Sequence, residues 1–333
     1  MRWDIGVDLG SESIRIAQYR MGATFSAASR VAMFEGKDKM LCCGDRAWRL
    51  EGHSCKGIKV FSPICDGTLE NKQYAQWLMH WAFLQSETVN RSRKFGVMLG
   101  CAPQTRPVQR RALIEAAIDA GAADAIAVRS DVAAALGAGI DIFAPEAKLL
   151  VCVGAGNISA SLFSFGHIVN SASLPYGLQR IDIRIQNLLR SEQGKRIGLQ
   201  SAKEIKHTIG SALPIKSSNE VIMHMTGFDR KTALPQKFDV EAGFVQTACE
   251  DVVREIVNLC AAVITEAPEE LSADLNDAGA VLCGGGAELS GLDKRLSDEL
   301  KLPFKIADTS ATCCIRGIFE LMRSPERCPA AFF

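Results

Sequence analysis

The feature that most constrains the fold is a strand–glycine turn–strand pattern that occurs twice. In the first copy, "DIGVDLGSESIRIAQYR", alternating apolar residues flank a turn at Gly10. The second copy, "KLLVCVGAGNISASLFSFGHIV", follows about 145 residues later. A hairpin that recurs at this separation, each time followed by further strand and helix signals, predicts two lobes of similar architecture.

A third glycine turn lies near the C-terminus. The segment "AGAVLCGGGAELSGLDKRLSDEL" is typical of a strand, a tight turn and a helix. Glycine lets the backbone approach a ligand closely, and the N–H groups of such turns and of helix N-termini attract phosphate. Two hairpin turns can hold phosphates from both sides of a cleft, while the third holds a base. A purely structural tight turn is the alternative for the third.

Charge and hydropathy exclude several classes of function. The chain has 333 residues, and its 38 basic residues balance its 38 acidic ones. A net charge of zero offers no general attraction for nucleic acid. The opening stretch "MRWDIGVDLG" lacks the apolar core of a signal peptide, and no run of about 18 apolar residues predicts a transmembrane helix. We therefore expect a cytoplasmic protein with no nucleic-acid partner.

Twelve cysteines are a high count for such a protein. They are scattered, and Cys152, Cys260 and Cys283 lie in apolar runs, where a free thiol behaves as a small hydrophobic side chain. We expect reduced core residues rather than a disulfide or metal framework. Cys152 is expected to be structural, because no basic residue stands beside it in the sequence to stabilise a thiolate.

Several segments, in order along the chain, resemble the MreB family of bacterial actins. They are "IGVDLGSESIRIA", "RRALIEAAIDAGA", "AAALGAG", "AKEIKHTIGSA", "TGFDRKTALPQKFDV", "PEELSADLNDAGAVLCGGGAELSGLDKRL" and "LPFKIADTSATCCIRG". The resemblance implies the α/β actin-like ATPase fold: two similar lobes, each with a mixed five-stranded sheet flanked by helices, and a nucleotide cleft between them.

The same resemblance implies the domain limits. Domain I would comprise 1–145 plus 312–333, with a small insert at about 30–60. Domain II would comprise 146–311, with an insert at about 185–240.

The resemblance also implies a function. MreB-like proteins are filament-forming cytoskeletal proteins that bind ATP and Mg²⁺ and take part in cell shape and cell-wall morphogenesis. The implied partners are further copies of the chain, inner-membrane morphogenesis proteins and the membrane surface, for which "CCGDRAWRLEG" is a weak interfacial signal. A nucleotide-independent actin-like scaffold is the alternative. A sugar kinase or a chaperone ATPase is disfavoured, because no substrate-facing acid or peptide-binding domain is evident.

The first phosphate loop falls on Asp8, Gly10, Ser11, Glu12 and Ser13. Asp8 keeps the acid that the resemblance assigns to the Mg²⁺ shell, and Ser11 keeps a hydroxyl for phosphate. Glu12 and Ser13 stand where the family has a small residue and an asparagine. A carboxylate that points at phosphate repels it unless a metal intervenes, so the alternative for Glu12, within this nucleotide-binding loop, is a side chain that points outward.

The second phosphate loop departs further from the family pattern, D-x-G-G-G-T-T-E. Gly154, Ala155, Gly156 and Asn157 can still contribute backbone and amide groups, but Cys152 replaces the acid on the Mg²⁺ side.

The segment that orients the attacking water in the family aligns with "RSDVAAALG". Ser130 takes the place of the glutamate and Asp131 that of the following proline. A serine cannot act as a carboxylate base, and a shift by one residue at a helix start turns a side chain by roughly 100°. Since losing a general base or a metal ligand costs orders of magnitude in rate, we expect at most weak ATP hydrolysis.

The resemblance assigns the adenosine side to Lys203, Glu204, Lys206, Gly284, Gly285, Gly286 and Ala287. Lys203 replaces an expected acid, whereas Lys206 and the glycines are retained. In "PYGLQRID", Leu178 and Gln179 replace a Gly-Asp pair that faces the phosphates in the family. The adenosine side is therefore expected to be better preserved than the phosphate side.

Overall fold

Lobe I is built on a five-stranded mixed sheet, seen here in a computed structural model that describes residues 3–37, 39–52, 57–86, 94–215 and 221–333. The strand order is β10-β9-β1-β2-β3. The strands are β1 Ile5–Leu9, β2 Ser13–Gln18, β3 Gly22–Ala28, β9 Gly96–Cys101 and β10 Asp124–Arg129. The first three form an antiparallel meander, whereas β1, β9 and β10 run parallel.

Lobe II repeats this sheet, with the order β13-β12-β11-β17-β18. Its strands are β11 Lys148–Val153, β12 Ile158–Ser164, β13 His167–Leu174, β17 Ala280–Cys283 and β18 Phe304–Ile306. The antiparallel hairpin and the parallel neighbours again meet at the first strand. The prediction of two similar lobes, each with a mixed five-stranded sheet, is thereby confirmed.

Smaller sheets extend both lobes. In lobe I they are β4 Val31–Phe34, β5 Met40–Cys43, β6 Ile58–Phe61, β7 Ile64–Cys65 and β8 Thr68–Leu69. In lobe II they are β14 Lys195–Arg196, β15 Ile222–Asp229 and β16 Pro235–Glu241. The exact limits of the domains and of their inserts stay predictions.

Helices cover the sheets. In chain order they are α1 Asp45–Leu50, α2 Lys72–Leu84, α3 Pro107–Asp119, α4 Ser130–Gly137, α5 Gln179–Glu192, α6 Leu199–Ile209, α7 Ala242–Thr265, α8 Glu269–Ala278, α9 Leu292–Leu300 and α10 Cys313–Arg323. Short 3₁₀ turns lie at Gly285–Glu288, Ser310–Thr312, Pro325–Arg327 and Pro329–Ala331.

Helix α7 shows how the sequence pattern produces this packing. Its apolar residues recur at helical spacing, so that Val245, Cys249, Val252 and Ile256 are all buried in the core of lobe II. Burying each large aliphatic side chain contributes roughly 1.5–3 kcal/mol. The helix begins at Ala242, directly after the last residue of β16.

Helices α4 and α10 cross very closely at the base of lobe I. A Cβ on Gly317 would lie 1.6 Å from the carbonyl oxygen of Ala133, and one on Gly137 would lie 1.9 Å from that of Cys313. The two glycines thus allow backbone-to-backbone contact. Because α4 begins at Ser130 and α10 at Cys313, this crossing fixes the helix starts that face the cleft.

None of the helices in the described part of the chain combines the length and the apolar character that a membrane span requires.

Candidate functional site

A cavity of about 360 Å³ lies between the two lobes, and glycine turns from both lobes line it. The turns are Gly10–Ser13 of lobe I, and Gly154–Asn157 and Gly284–Gly286 of lobe II. Apart from Glu204 and Ala287, the residues predicted to bind nucleotide all line this cavity. Glu204 is exposed on α6, and Ala287 is buried in the core of lobe II.

The two hairpin turns are built alike and touch each other. The N–H of Gly10 donates to the carbonyl of Ser13 over 3.0 Å, and the N–H of Gly154 donates to that of Asn157 over 2.9 Å. A Cβ on Gly156 would lie 2.0 Å from the Oγ of Ser11 in the other lobe. Glycine at 156 therefore permits the close approach of the two turns.

The third turn is packed against the second. Gly284 has a φ of +84°, and a Cβ there would lie 2.3 Å from the carbonyl oxygen of Val153. Gly285, in contrast, has open space where a Cβ would be. Gly284 is therefore needed for the close packing of the turn, whereas Gly285 leaves room for a ligand on the cavity side.

Glu12 is the centre of an ion-pair cluster that joins the lobes. Both of its carboxylate oxygens lie 2.7 Å from the Nζ of Lys203 on α6. Gln179, at the start of α5, donates to Oε2 over 2.9 Å, and Arg30 of lobe I lies 3.3 Å from the same oxygen. Glu12 therefore does not point away from the cleft but bridges it.

The charges around Glu12 favour its ionised form. Burial raises the pKa of Glu12, but the Lys203 ammonium and the Arg30 guanidinium outweigh burial and hold it below the usual value. Arg30 is itself buried and also donates to the backbone carbonyl of Ser11 over 2.9 Å. The cluster is therefore a charged, hydrogen-bonded bridge at neutral pH.

A second ion pair, between Lys206 and Asp182, lies deeper in lobe II. The Nζ of Lys206 is 2.8 Å from Oδ1 of Asp182, which is fully buried, and it also donates to the carbonyl of Leu178 over 3.1 Å. Apart from this ion pair, the two carboxylate oxygens of Asp182 are buried without a hydrogen-bond partner among the described residues. Burial raises the pKa of Asp182, against the lowering effect of Lys206.

Asp8, the predicted metal ligand, lies at the end of β1 and lines the cavity. Its Oδ2 is 3.4 Å from an Nη1 of Arg15. The Cys314 thiol, on α10, also lines the cavity; burial raises the pKa of this thiol well above its usual value, and the Asp8 charge raises it further.

Ser130 lines the cavity at the start of α4, but Asp131 does not. Asp131 is buried, pairs with Arg129 at 2.7 Å and accepts from the Oγ of Ser161 over 2.8 Å. Of these two neighbours, Ser130 therefore presents its hydroxyl at the cavity, whereas the Asp131 carboxylate is held by Arg129 and Ser161.

Sequence reasoning missed several residues of the site, because their partners are distant in the chain. No pattern in the sequence pointed to Arg30. Asp182 was not predicted either, although it lies three residues after Gln179, whose replacement of a family residue was noted. Cys283 lines the cavity and approaches Cys152 to 3.0 Å between the sulfurs, a contact that only the pairing of β11 with β17 creates.

Chemically, the cavity suits a polyanionic ligand. The glycine turns bring backbone close to the cavity, and Lys203 and Lys206, each paired with a carboxylate, are the ammonium groups there that suit phosphates. Open space at Gly285 leaves room for a flat group at the opposite end.

Comparisons with known proteins give a consistent result. The family model described as "MreB/Mbl protein" matches residues 2–329. The cell shape-determining protein Mbl of Bacillus subtilis (strain 168) is 28% identical over 98% of this chain and 97% of its own length. The cell shape-determining protein MreB of Escherichia coli (strain K12) is 29% identical over 94% and 91%.

Solved structures agree with these relatives. MreB5 of Spiroplasma citri bound to ADP superposes with a TM-score of 0.91, at 28% identity and with 98% of both chains covered. A MamK double helical filament gives a TM-score of 0.80 at 17% identity, over 96% of this chain and 98% of that one, which is a likeness of fold alone.

Proposed function

Because the chain belongs to the MreB/Mbl family of actin-like proteins, we propose that it is a cytoskeletal protein of cell shape and cell-wall morphogenesis. In this proposal it binds ATP in the cleft between its lobes, self-associates into filaments and acts in the cytoplasm at the inner face of the membrane. The observation that carries the nucleotide part is the convergence of three glycine turns, from two lobes, on one cavity.

In this proposal, different residues of the cavity bind the phosphates and the adenosine of the nucleotide. The turns Gly10–Ser13 and Gly154–Asn157 would hold the phosphates through their N–H groups, with Ser11 and Asn157 adding side-chain contacts. Lys206 and the turn Gly284–Gly286 would hold the adenosine end. In support, a relative of similar fold, MreB5 of Spiroplasma citri, is described as bound to ADP and to AMPPNP.

Asp8 would hold Mg²⁺ in this proposal. Mg²⁺ binds oxygen ligands, keeps several waters and commonly needs only one or two carboxylates besides the phosphates. Asp8 supplies one carboxylate, whereas the sulfur of Cys152 is a soft ligand that suits Mg²⁺ poorly. The bound ion would neutralise phosphate charge, and the chain would orient it through Asp8.

We expect Mg²⁺–ATP to stabilise the protein but to be hydrolysed slowly. At ten times the dissociation constant, bound nucleotide should stabilise the fold by about 1.4 kcal/mol, which corresponds to a rise of about 2–3 °C in melting temperature. Because Ser130 cannot act as a carboxylate base, phosphate release should stay well below ~1 s⁻¹. Thermal melting with and without Mg²⁺–ATP, and a phosphate-release assay, measure both.

A matched pair of glycine variants tests where the nucleotide binds. Gly285→Ala places a methyl group in the open space of the cavity, and Gly198→Ala places one in open space away from it. Both should leave the melting temperature of the free protein within about 1 °C, and only Gly285→Ala should reduce the shift caused by Mg²⁺–ATP. An equal shift in both variants would place the nucleotide elsewhere.

Self-association is expected to be visible in solution. Above a threshold protein concentration the chain should sediment as polymer, and the sedimented fraction should rise with total concentration. The measurement is high-speed sedimentation with electron microscopy of the pellet. Only monomers across the whole concentration range, with and without Mg²⁺–ATP, would refute assembly by the chain alone.

A nucleotide-independent scaffold is the second candidate function, and the Glu12 cluster favours it. Lys203 and Gln179 already bridge the lobes through Glu12 without any ligand. The absence of any nucleotide-induced melting shift, combined with sedimentable polymer, would select the scaffold.

Because the chain belongs to this family, the proposal also includes contact with the membrane and with inner-membrane morphogenesis proteins. Helix α1 exposes Trp48 between Arg46 and Arg49, a combination suited to an anionic membrane surface. Binding to vesicles with and without anionic lipid measures this contact.

A further inference from the structure

Two cysteines face each other at the floor of the cleft. Cys152 lies near the end of β11, and Cys283 is the last residue of β17. These strands are parallel neighbours, and the two cysteines are direct Cα partners in the register. Their sulfurs are 3.0 Å apart, and both residues line the cavity.

The register of β11 and β17 places the two cysteines at a separation that suits a disulfide. Neighbouring strands lie about 4.8 Å apart, which is inside the Cα–Cα range of about 4.4–6.8 Å that disulfides span. Only the two sulfurs must approach, to about 2.05 Å. Cys152 is half-buried and faces the cavity, so that a small reagent in the cleft can reach it, while Cys283 is buried beneath.

A third thiol lies close to the pair. Cys313, the first residue of α10, interacts electrostatically with Cys283, and its Sγ donates to the carbonyl of Thr309 over 3.4 Å. Cys313 is therefore the competing thiol from which a test must distinguish Cys152.

We propose that Cys152 and Cys283 form a redox-sensitive thiol pair that a peroxide converts into a cross-strand disulfide. The peroxide oxygen first adds to Cys152, giving a sulfenic acid and releasing the alcohol, or water in the case of hydrogen peroxide. Cys283 then attacks the Cys152 sulfur, and the Cys283 proton leaves with the departing hydroxide as water, so that two thiols and one peroxide give one disulfide, one alcohol and one water.

The disulfide would tie together two of the glycine turns. Cys152 precedes the turn Gly154–Asn157, and Cys283 immediately precedes the turn Gly284–Gly286. Oxidation therefore fixes the separation of these turns, and it removes both free thiols from the cavity wall. One consequence rests on the proposed function: a nucleotide in the cavity should shield Cys152 from the oxidant.

The test uses the full-length protein and hydrogen peroxide, with non-reducing tryptic digestion and mass spectrometry. The expected product is a cross-link between the peptides that contain Cys152 and Cys283, with a loss of two titratable thiols. Cys283→Ser should abolish this cross-link. Cys260→Ser, which changes a buried cysteine on α7 that lies in the same tryptic peptide, should retain it.

The outcomes separate the inference from the proposed function. No cross-link between Cys152 and Cys283, or a dominant one between Cys283 and Cys313, overturns the inference. Mg²⁺–ATP at ten times its dissociation constant should slow the cross-linking about tenfold, because only free protein reacts. Cross-linking that nucleotide leaves unchanged would sustain the thiol pair and count against nucleotide binding in this cavity.

Discussion

Replacing Glu12 by alanine is expected to tighten the binding of Mg²⁺–ATP by about tenfold, or 1.4 kcal/mol. In the protein, the Glu12 carboxylate occupies Lys203 and Arg30 and lies beside the turns that would hold phosphate. Two unit charges about 5 Å apart interact by about 3 kcal/mol at an effective dielectric constant of 20. Removing Glu12 therefore removes a repulsion and frees two cations, and titration with a fluorescent ATP analogue measures the gain.

Lys203→Met should have the opposite effect and weaken binding by about tenfold, because it leaves the Glu12 charge in the cleft with Arg30 as its main cationic partner. Lys59→Met is the matched control, since Lys59 pairs with Glu35 at 2.7 Å on the exposed surface of lobe I. That control should leave affinity unchanged. If Glu12→Ala weakens binding instead, Glu12 holds the metal–nucleotide complex directly, and the proposed repulsion between Glu12 and the phosphates is wrong.

Gly317→Ala should lower the free energy of unfolding by about 3 kcal/mol. The added methyl group would meet the carbonyl oxygen of Ala133 at 1.6 Å, which is far inside van der Waals contact. Alanine is a better helix former than glycine by about 1 kcal/mol, but α10 must move away from α4 to accept it. Urea unfolding, followed by circular dichroism, should show a lower midpoint.

Gly198→Ala again serves as the control, because its Cβ meets nothing within 4 Å. It should change the free energy of unfolding by no more than about 0.5 kcal/mol. The Gly317 variant should also bind nucleotide more weakly, since the crossing positions Ser130 and Cys314 at the cavity. A midpoint equal to that of the wild type would show that the two helices separate at little cost.

The sequence predicted the scaffold well because the scaffold depends on local patterns. Alternating apolar residues and a turn glycine define each hairpin, and β1–β2 and β11–β12 pair accordingly. Helix faces were less certain. Val108, an apolar residue in the first turn of α3, is 79% exposed, whereas Leu113 and Ala116 further along the same helix are buried.

The site was predictable only where backbone conformation carries the signal. Gly10, Gly156 and Gly284 lie at turns or at close approaches of the backbone, and a glycine in the sequence is by itself a signal for such a position. The partners of Glu12 could not be predicted, because Lys203 is separated from it by 191 positions and meets it only once the lobes are assembled. The same holds for Cys152, whose apolar surroundings predicted a structural thiol and concealed its neighbour across the strand.

The ion pair between Glu12 and Lys203 would affect how strongly the bound nucleotide controls filament growth. A ligand shifts a conformational equilibrium only as far as it binds the two shapes with different affinity. With the lobes already joined by side chains, phosphate loss changes the preferred arrangement of the lobes less than it would in an unbridged cleft. Filament growth and shrinkage would then depend on the concentration of the protein in the cell rather than on whether the bound nucleotide has been hydrolysed.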